Sequence, residues 1–182
     1  SFMRHGEVDV QSTLAGWLWA GLSPFEGILA NRRLSFAVIA LSFLVLALSI
    51  ARTLGGGAAW RATTAVIVAA GGLAHYFHWF VDPSYNSITL CLVALGWAAV
   101  FGLIRAVERD EGRSSGREWV LAAAIGAVVA SLVLAKVTSA LVFGPTALLL
   151  FLGACWRRCT WGRVARLALA SIAGMAGGVR IH

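Results

Sequence analysis

LSFAVIALSFLVLALSIA runs from Leu34 to Ala51 without a charged side chain, between Arg33 and Arg52. An α-helix rises about 1.5 Å per residue, and about 17–25 apolar residues cross the hydrocarbon core of a bilayer. At 18 residues this stretch has the length of one crossing. Its flanking arginines mark where the chain meets polar headgroups.

The same pattern recurs along the chain. Residues 62–81 follow the loop "RTLGGGAAWR". Residues 83–104 start after Asp82 and end at Arg105. Residues 119–135 end at Lys136, and residues 137–156 end at an arginine pair. Residues 167–179 form the shortest run. Gly144-Pro145 resembles a break, but a turn there leaves too few residues for a fifth crossing. The turn is therefore expected near "AKVTSA", with Pro145 inside the first turns of the fifth span. The expected fold is all-α: a polytopic transmembrane helix bundle of five to six spans over residues 34–182.

Residues 1–33 read differently. Leu14, Trp17, Leu18, Gly21, Leu22, Phe25, Ile28 and Leu29 follow helical spacing. Ser23-Pro24-Phe25-Glu26 has the form of a capping box with proline in the first turn. Two short amphipathic helices lying in the outer interface are expected, with Trp17 and Trp19 at headgroup depth. A span cut in two by Pro24 is the alternative.

Composition agrees with a membrane protein. Hydrophobic residues make up 59% of the chain and charged residues 13%, against about 25% charged in soluble domains. So few charges cannot cover a soluble core of this size. The net charge of +7 comes from 14 arginines and one lysine, and they flank apolar runs. That placement favours anchoring over nucleic-acid binding. Cys91 lies inside an apolar run, and Cys155 and Cys159 show no framework spacing, so all three read as small fillers. The N-terminal stretch "SFMRHGEVDV" has no apolar core of a signal peptide.

Basic residues orient the bundle. Arg52 and Arg61, then Arg105 to Arg117, then Arg157 to Arg166 fall in alternate loops, which belong on the cytoplasmic side. The segment between spans two and three has no Lys or Arg, so "VDPSYN" is expected outside. The turn at Lys136 is expected there as well. Arg32 and Arg33 run against the rule.

The polar chemistry gathers in "HYFHWFVDPSYNS", His75 to Ser87. Asp82 precedes Pro83 and can cap the third span, which requires no function. A cap uses one carboxylate oxygen and leaves the other. His75 and His78 are three apart and share a helix face, and Asp82 follows His78 by four. Two imidazoles and a carboxylate so spaced can face a divalent metal. Interfacial marking by histidines and aromatics is the simpler account. Tyr85 fits an aromatic belt, and Asn86 in an apolar segment needs a partner or water. Lys136 can snorkel to the outer headgroups. It can also contact a phosphate.

"VDPSYNSITLCLVALGWAAVFGLIRAVER" and "LVLAKVTSALVFGP" together resemble the GT-C class of membrane glycosyltransferases, of the dolichyl-phosphate-mannose and aminoarabinose transferase type. The shared pattern is an outward Asp-Pro before a helix, a basic inner loop, and a later span closing on a Lys-Thr type segment. The likeness covers about Leu14 to Val179, and its motifs are short. It implies transfer of a sugar from a polyprenyl-phosphate donor at the outer face of a membrane, most simply the bacterial inner membrane facing the periplasm. Asp82, with Tyr85 and Asn86, would lie on the acceptor or metal side. Lys136, with Arg33, would meet the donor phosphate. The implied partners are membrane lipid and the polyprenyl-phosphate sugar, with a divalent metal as the implied cofactor and no nucleic acid.

One departure concerns the general base. In that class it follows an earlier transmembrane helix, which this sequence does not show. Glu7 and Asp9 are the candidates in this chain, and "HGEVDVQS" does not match the acidic motif clearly. The base is therefore expected upstream of Ser1, with this chain as part of a longer protein. The competing classes are a multi-span transporter or flippase-like permease and a non-catalytic membrane subunit. Permeases favour acids near the bilayer midplane and internal repeats, and neither is evident here.

Overall fold

The computed structural model describes residues 28–78, 85–109, 116–155 and 160–179. Among them are six helices and no strand. They are α1 (Ile28–Leu54), α2 (Ala58–His78), α3 (Tyr85–Arg109), α4 (Gly116–Ala135), α5 (Val137–Cys155) and α6 (Trp161–Val179). Four, α1, α3, α4 and α5, hold a stretch long and apolar enough to cross a membrane. In α2 the apolar stretch Ala58–Ala74 is shorter. The all-α bundle expected from the apolar runs is what forms, and the protein is an integral membrane protein.

Some boundaries shift. α1 begins at Ile28 rather than 34, so Arg33 is a helical residue. The interfacial helices expected before it lie outside the described residues. α6 begins at Trp161 rather than 167, which makes Arg163 and Arg166 helical rather than loop residues. Thr160 starts that helix by accepting from Arg163 N at 2.9 Å and Val164 N at 3.1 Å. Pro145 lies inside α5, as the turn near Lys136 requires. It removes the N–H that would bond the Leu141 carbonyl.

The connections follow from backbone chemistry. α1 ends where Gly55 and Gly56 adopt φ of 72° and 87°, a region that side chains disfavour. The α4–α5 break is a single residue. Lys136 N donates to Leu132 O at 2.6 Å, closing α4, and the Lys136 carbonyl accepts from Ser139 N and Ala140 N, opening α5.

Packing centres on α3, which touches α1, α4 and α5. Among the described residues α2 packs mainly along α1, and α6 along α4. Helices of the same parity run parallel. Ile39 on α1 packs with Cys91 on α3, and further along both helices Thr53 Oγ1 donates to Phe101 O at 3.3 Å. The odd helices therefore start at one end of the bundle and the even helices at the other.

Apolar burial between helices gains little when the surroundings are lipid, so close packing must hold the seams. Small residues make that possible. Ala94 and Ala98 sit against Leu46, with Phe43, Val68 and Trp97 packed around them. Gly96 leaves room for Phe143 and Val128. Trp97 meets Phe143 edge-on at 5.3 Å between centroids. The α4–α6 seam is the tightest: Gly126 lies against the Ser171 backbone and Gly174 against the Ala123 backbone. Ser171 Oγ, donating across the seam, lies 3.0 Å from Ala122 O. The outer faces remain apolar and open. Leu149 is 70% exposed, Val142 69% and Val120 68%, which suits lipid and not water.

Candidate functional site

The end where α1, α3 and α5 begin holds most of the residues singled out in the sequence. Its centre is Lys136. Hydrogen bonds on both sides fix its backbone, so the side chain leaves from a defined point. Lys136 Nζ approaches Asn86 Oδ1 at 3.4 Å. That is at the long end for a hydrogen bond, so the contact locates the two groups more than it holds them. Asn86 is exposed, in the first turn of α3. Lys136 itself precedes the first turn of α5. The first turns of α3 and α5, with their positive dipole ends, thus lie beside one ammonium, and α4 brings its carbonyl end to the same junction. This arrangement favours an anion with several acceptor oxygens.

The remaining sequence candidates divide. Arg33 is exposed on α1 near the same end, its side chain without a hydrogen bond or ion pair to another described residue. Tyr85 is the first residue of α3, and His75 and His78 lie in the last turn of α2, at the same end. The side chains of those three lie outside the described residues. Asp82, Glu7 and Asp9 also lie outside them, so the His75–His78–Asp82 metal arrangement does too. Among the described residues no three His, Cys, Asp or Glu side chains cluster as a metal site.

Sequence reasoning missed a polar strip beneath this end. Ser87 and Thr89 are buried one turn into α3, and Ser35 is buried on α1. Among the described residues the hydroxyls of Ser35 and Thr89 find no hydrogen-bond partner. A buried hydroxyl without a partner is costly, so these two are ready to accept one. Hydroxyl residues inside an apolar run were the available signal.

It also missed an ion pair at the opposite end. Glu118 of α4 and Arg163 of α6 are both buried, and their side chains pair through two hydrogen bonds. Arg163 Nε donates to Glu118 Oε2 at 3.1 Å, and Arg163 Nη2 donates to Oε1. Each residue is third in its helix, so parallel α4 and α6 bring them level. The carboxylate also faces two positive helix ends, which stabilises it. Sequence showed only two loop charges because it did not show that α4 and α6 touch.

Compared with known protein families, curated proteins and solved structures, the chain matches none.

Proposed function

We propose that this chain is part of a membrane glycosyltransferase that moves a sugar from a polyprenyl-phosphate donor to an acceptor hydroxyl. The reaction takes place at the Lys136 end, which faces the periplasm or exterior. One observation carries the proposal: the approach of Lys136 Nζ to Asn86 Oδ1 beside the first turns of α3 and α5. A polyprenyl-phosphate sugar has its lipid tail in the bilayer and its phosphate at the surface. A cation at a helix junction, open to lipid on its apolar sides, matches that geometry.

In the proposed step a carboxylate takes the proton of the acceptor hydroxyl, and the oxygen attacks the anomeric carbon. The bond from that carbon to the phosphate oxygen breaks, and the phosphate leaves with its added negative charge. Lys136 and the N-termini of α3 and α5 stabilise that charge. Asn86 lies beside the Lys136 ammonium and presents its amide N–H groups to the donor. Asp82 is assigned to the acceptor or metal side, and the base to Glu7, Asp9 or a residue upstream. A permease is less well supported, because charged side chains among the described residues lie near helix ends and not along a midplane path.

The test supplies the full-length protein, in liposomes, with polyprenyl-phosphate sugars and a range of hydroxyl acceptors. Transfer with release of polyprenyl phosphate is expected. Transfer only from nucleotide sugars, or none from any lipid-linked donor, would overturn the assignment.

A further inference from the structure

The opposite end of the bundle carries a second cluster, which the transferase reading does not use. Arg52 closes α1, Arg61 opens α2, Arg109 closes α3 with Arg105 one turn before it, and Arg117 opens α4. The helix directions bring these termini to one end. Arg105, one turn before Arg109 on α3, is the half-buried member. None of these arginine side chains has a hydrogen bond or ion pair to another described residue. Glu108 is the one carboxylate of α3 at this end, and Glu118 is committed to Arg163. By sequence the connection 110–115 adds two acids and one arginine, which leaves the end cationic.

Depth is marked independently. Trp60, Trp119 and Trp161 stand in the first turns of α2, α4 and α6 and are 57%, 40% and 77% exposed. Exposed tryptophans at helix ends of a membrane protein sit at headgroup level. Arg61 and Arg117 lie within a turn of Trp60 and Trp119 on their own helices, which sets the cluster at the depth of the phosphates. Guanidinium groups from four helices, repelling one another, gain from a shared anion with several oxygens.

We propose that Arg52, Arg61, Arg105, Arg109 and Arg117 form a binding site for a phosphate group, supplied by an anionic phospholipid, at the junction of α1, α2, α3 and α4. The bound lipid ties together helix ends that otherwise repel. α6 lies outside the site. Its Arg166 turns back to its own helix, donating from Nε to Gly162 O at 3.3 Å.

The experiment places full-length protein in nanodiscs of equal phosphatidylglycerol and phosphatidylcholine, then reads the retained lipids by native mass spectrometry. Phosphatidylglycerol is expected in preference by about tenfold. Arg105→Gln should reduce that preference about fivefold. The double variant Arg52→Gln with Arg61→Gln alters exposed residues only and should do the same if Arg105→Gln fails to fold. Arg166→Gln removes an equal charge at the same end and should leave the preference unchanged. Added inorganic pyrophosphate separates the sources: displacement marks a site for phosphate itself, and persistence marks one for the lipid. Equal retention of the two lipids by the unaltered protein would overturn the proposal. So would an Arg166→Gln loss as large as that of Arg105→Gln.

Discussion

Two polar pairs at opposite ends of the bundle, Glu118–Arg163 and Lys136–Asn86, handle charge in opposite ways. At the end where the even helices begin, Glu118 and Arg163 are buried and bonded to each other. At the end where the odd helices begin, Lys136 and Asn86 meet at 3.4 Å in an exposed setting. A buried charge must be paired within the protein, because lipid and packed side chains offer it nothing. A charge at the rim can exchange its partner for water or a ligand. The first arrangement holds the fold, and the second is open to chemistry.

The most severe way to break this contrast is to remove one member of the buried pair. Glu118→Ala leaves the Arg163 guanidinium buried without its carboxylate. A loss of about 3–5 kcal/mol is expected, read by thermal melting in detergent and by denaturant titration. Replacing both by leucine should recover most of it, because the desolvation of two charges disappears with their attraction. If the single and double variants are equally unstable, the pair is not what links α4 to α6.

Gly126→Leu tests the same seam through packing. A side chain there meets the Ser171 backbone and forces α6 away from α4. About 1–3 kcal/mol is expected, with weaker Glu118–Arg163 pairing as a consequence. Ser171→Ala is milder. It removes the hydroxyl that lies 3.0 Å from Ala122 O and 3.1 Å from Leu167 O, at a cost of about 0.6 kcal/mol. Lys136→Ala is expected to change stability by less than about 0.5 kcal/mol, because the contact to Asn86 is exposed and long. A large loss of stability there would make Lys136 a structural residue and erase the contrast between the ends.

Much of the fold was legible because bilayer thickness constrains sequence so strongly. The run Leu34–Ala51 needed only its length and its flanking arginines. The break at Lys136 was legible for the same reason: placing it at Gly144-Pro145 left no room for another crossing. The α6 start was missed because Arg163 and Arg166 read as loop charges. A charge inside a helix is tolerated when a neighbouring helix neutralises it, and that neighbour is a matter of tertiary contact. Asn86 and Lys136 were each legible as polar residues at a span end. Their meeting was not, since it depends on α3 and α5 running parallel and in contact.

The most direct measurement is sugar transfer from a polyprenyl-phosphate donor by full-length protein carrying Lys136→Ala, compared with Arg105→Gln and the unaltered protein. The account predicts that Lys136→Ala melts normally yet loses turnover by about a hundredfold or more, while Arg105→Gln retains it. Unchanged turnover in a folded Lys136→Ala protein would contradict the account.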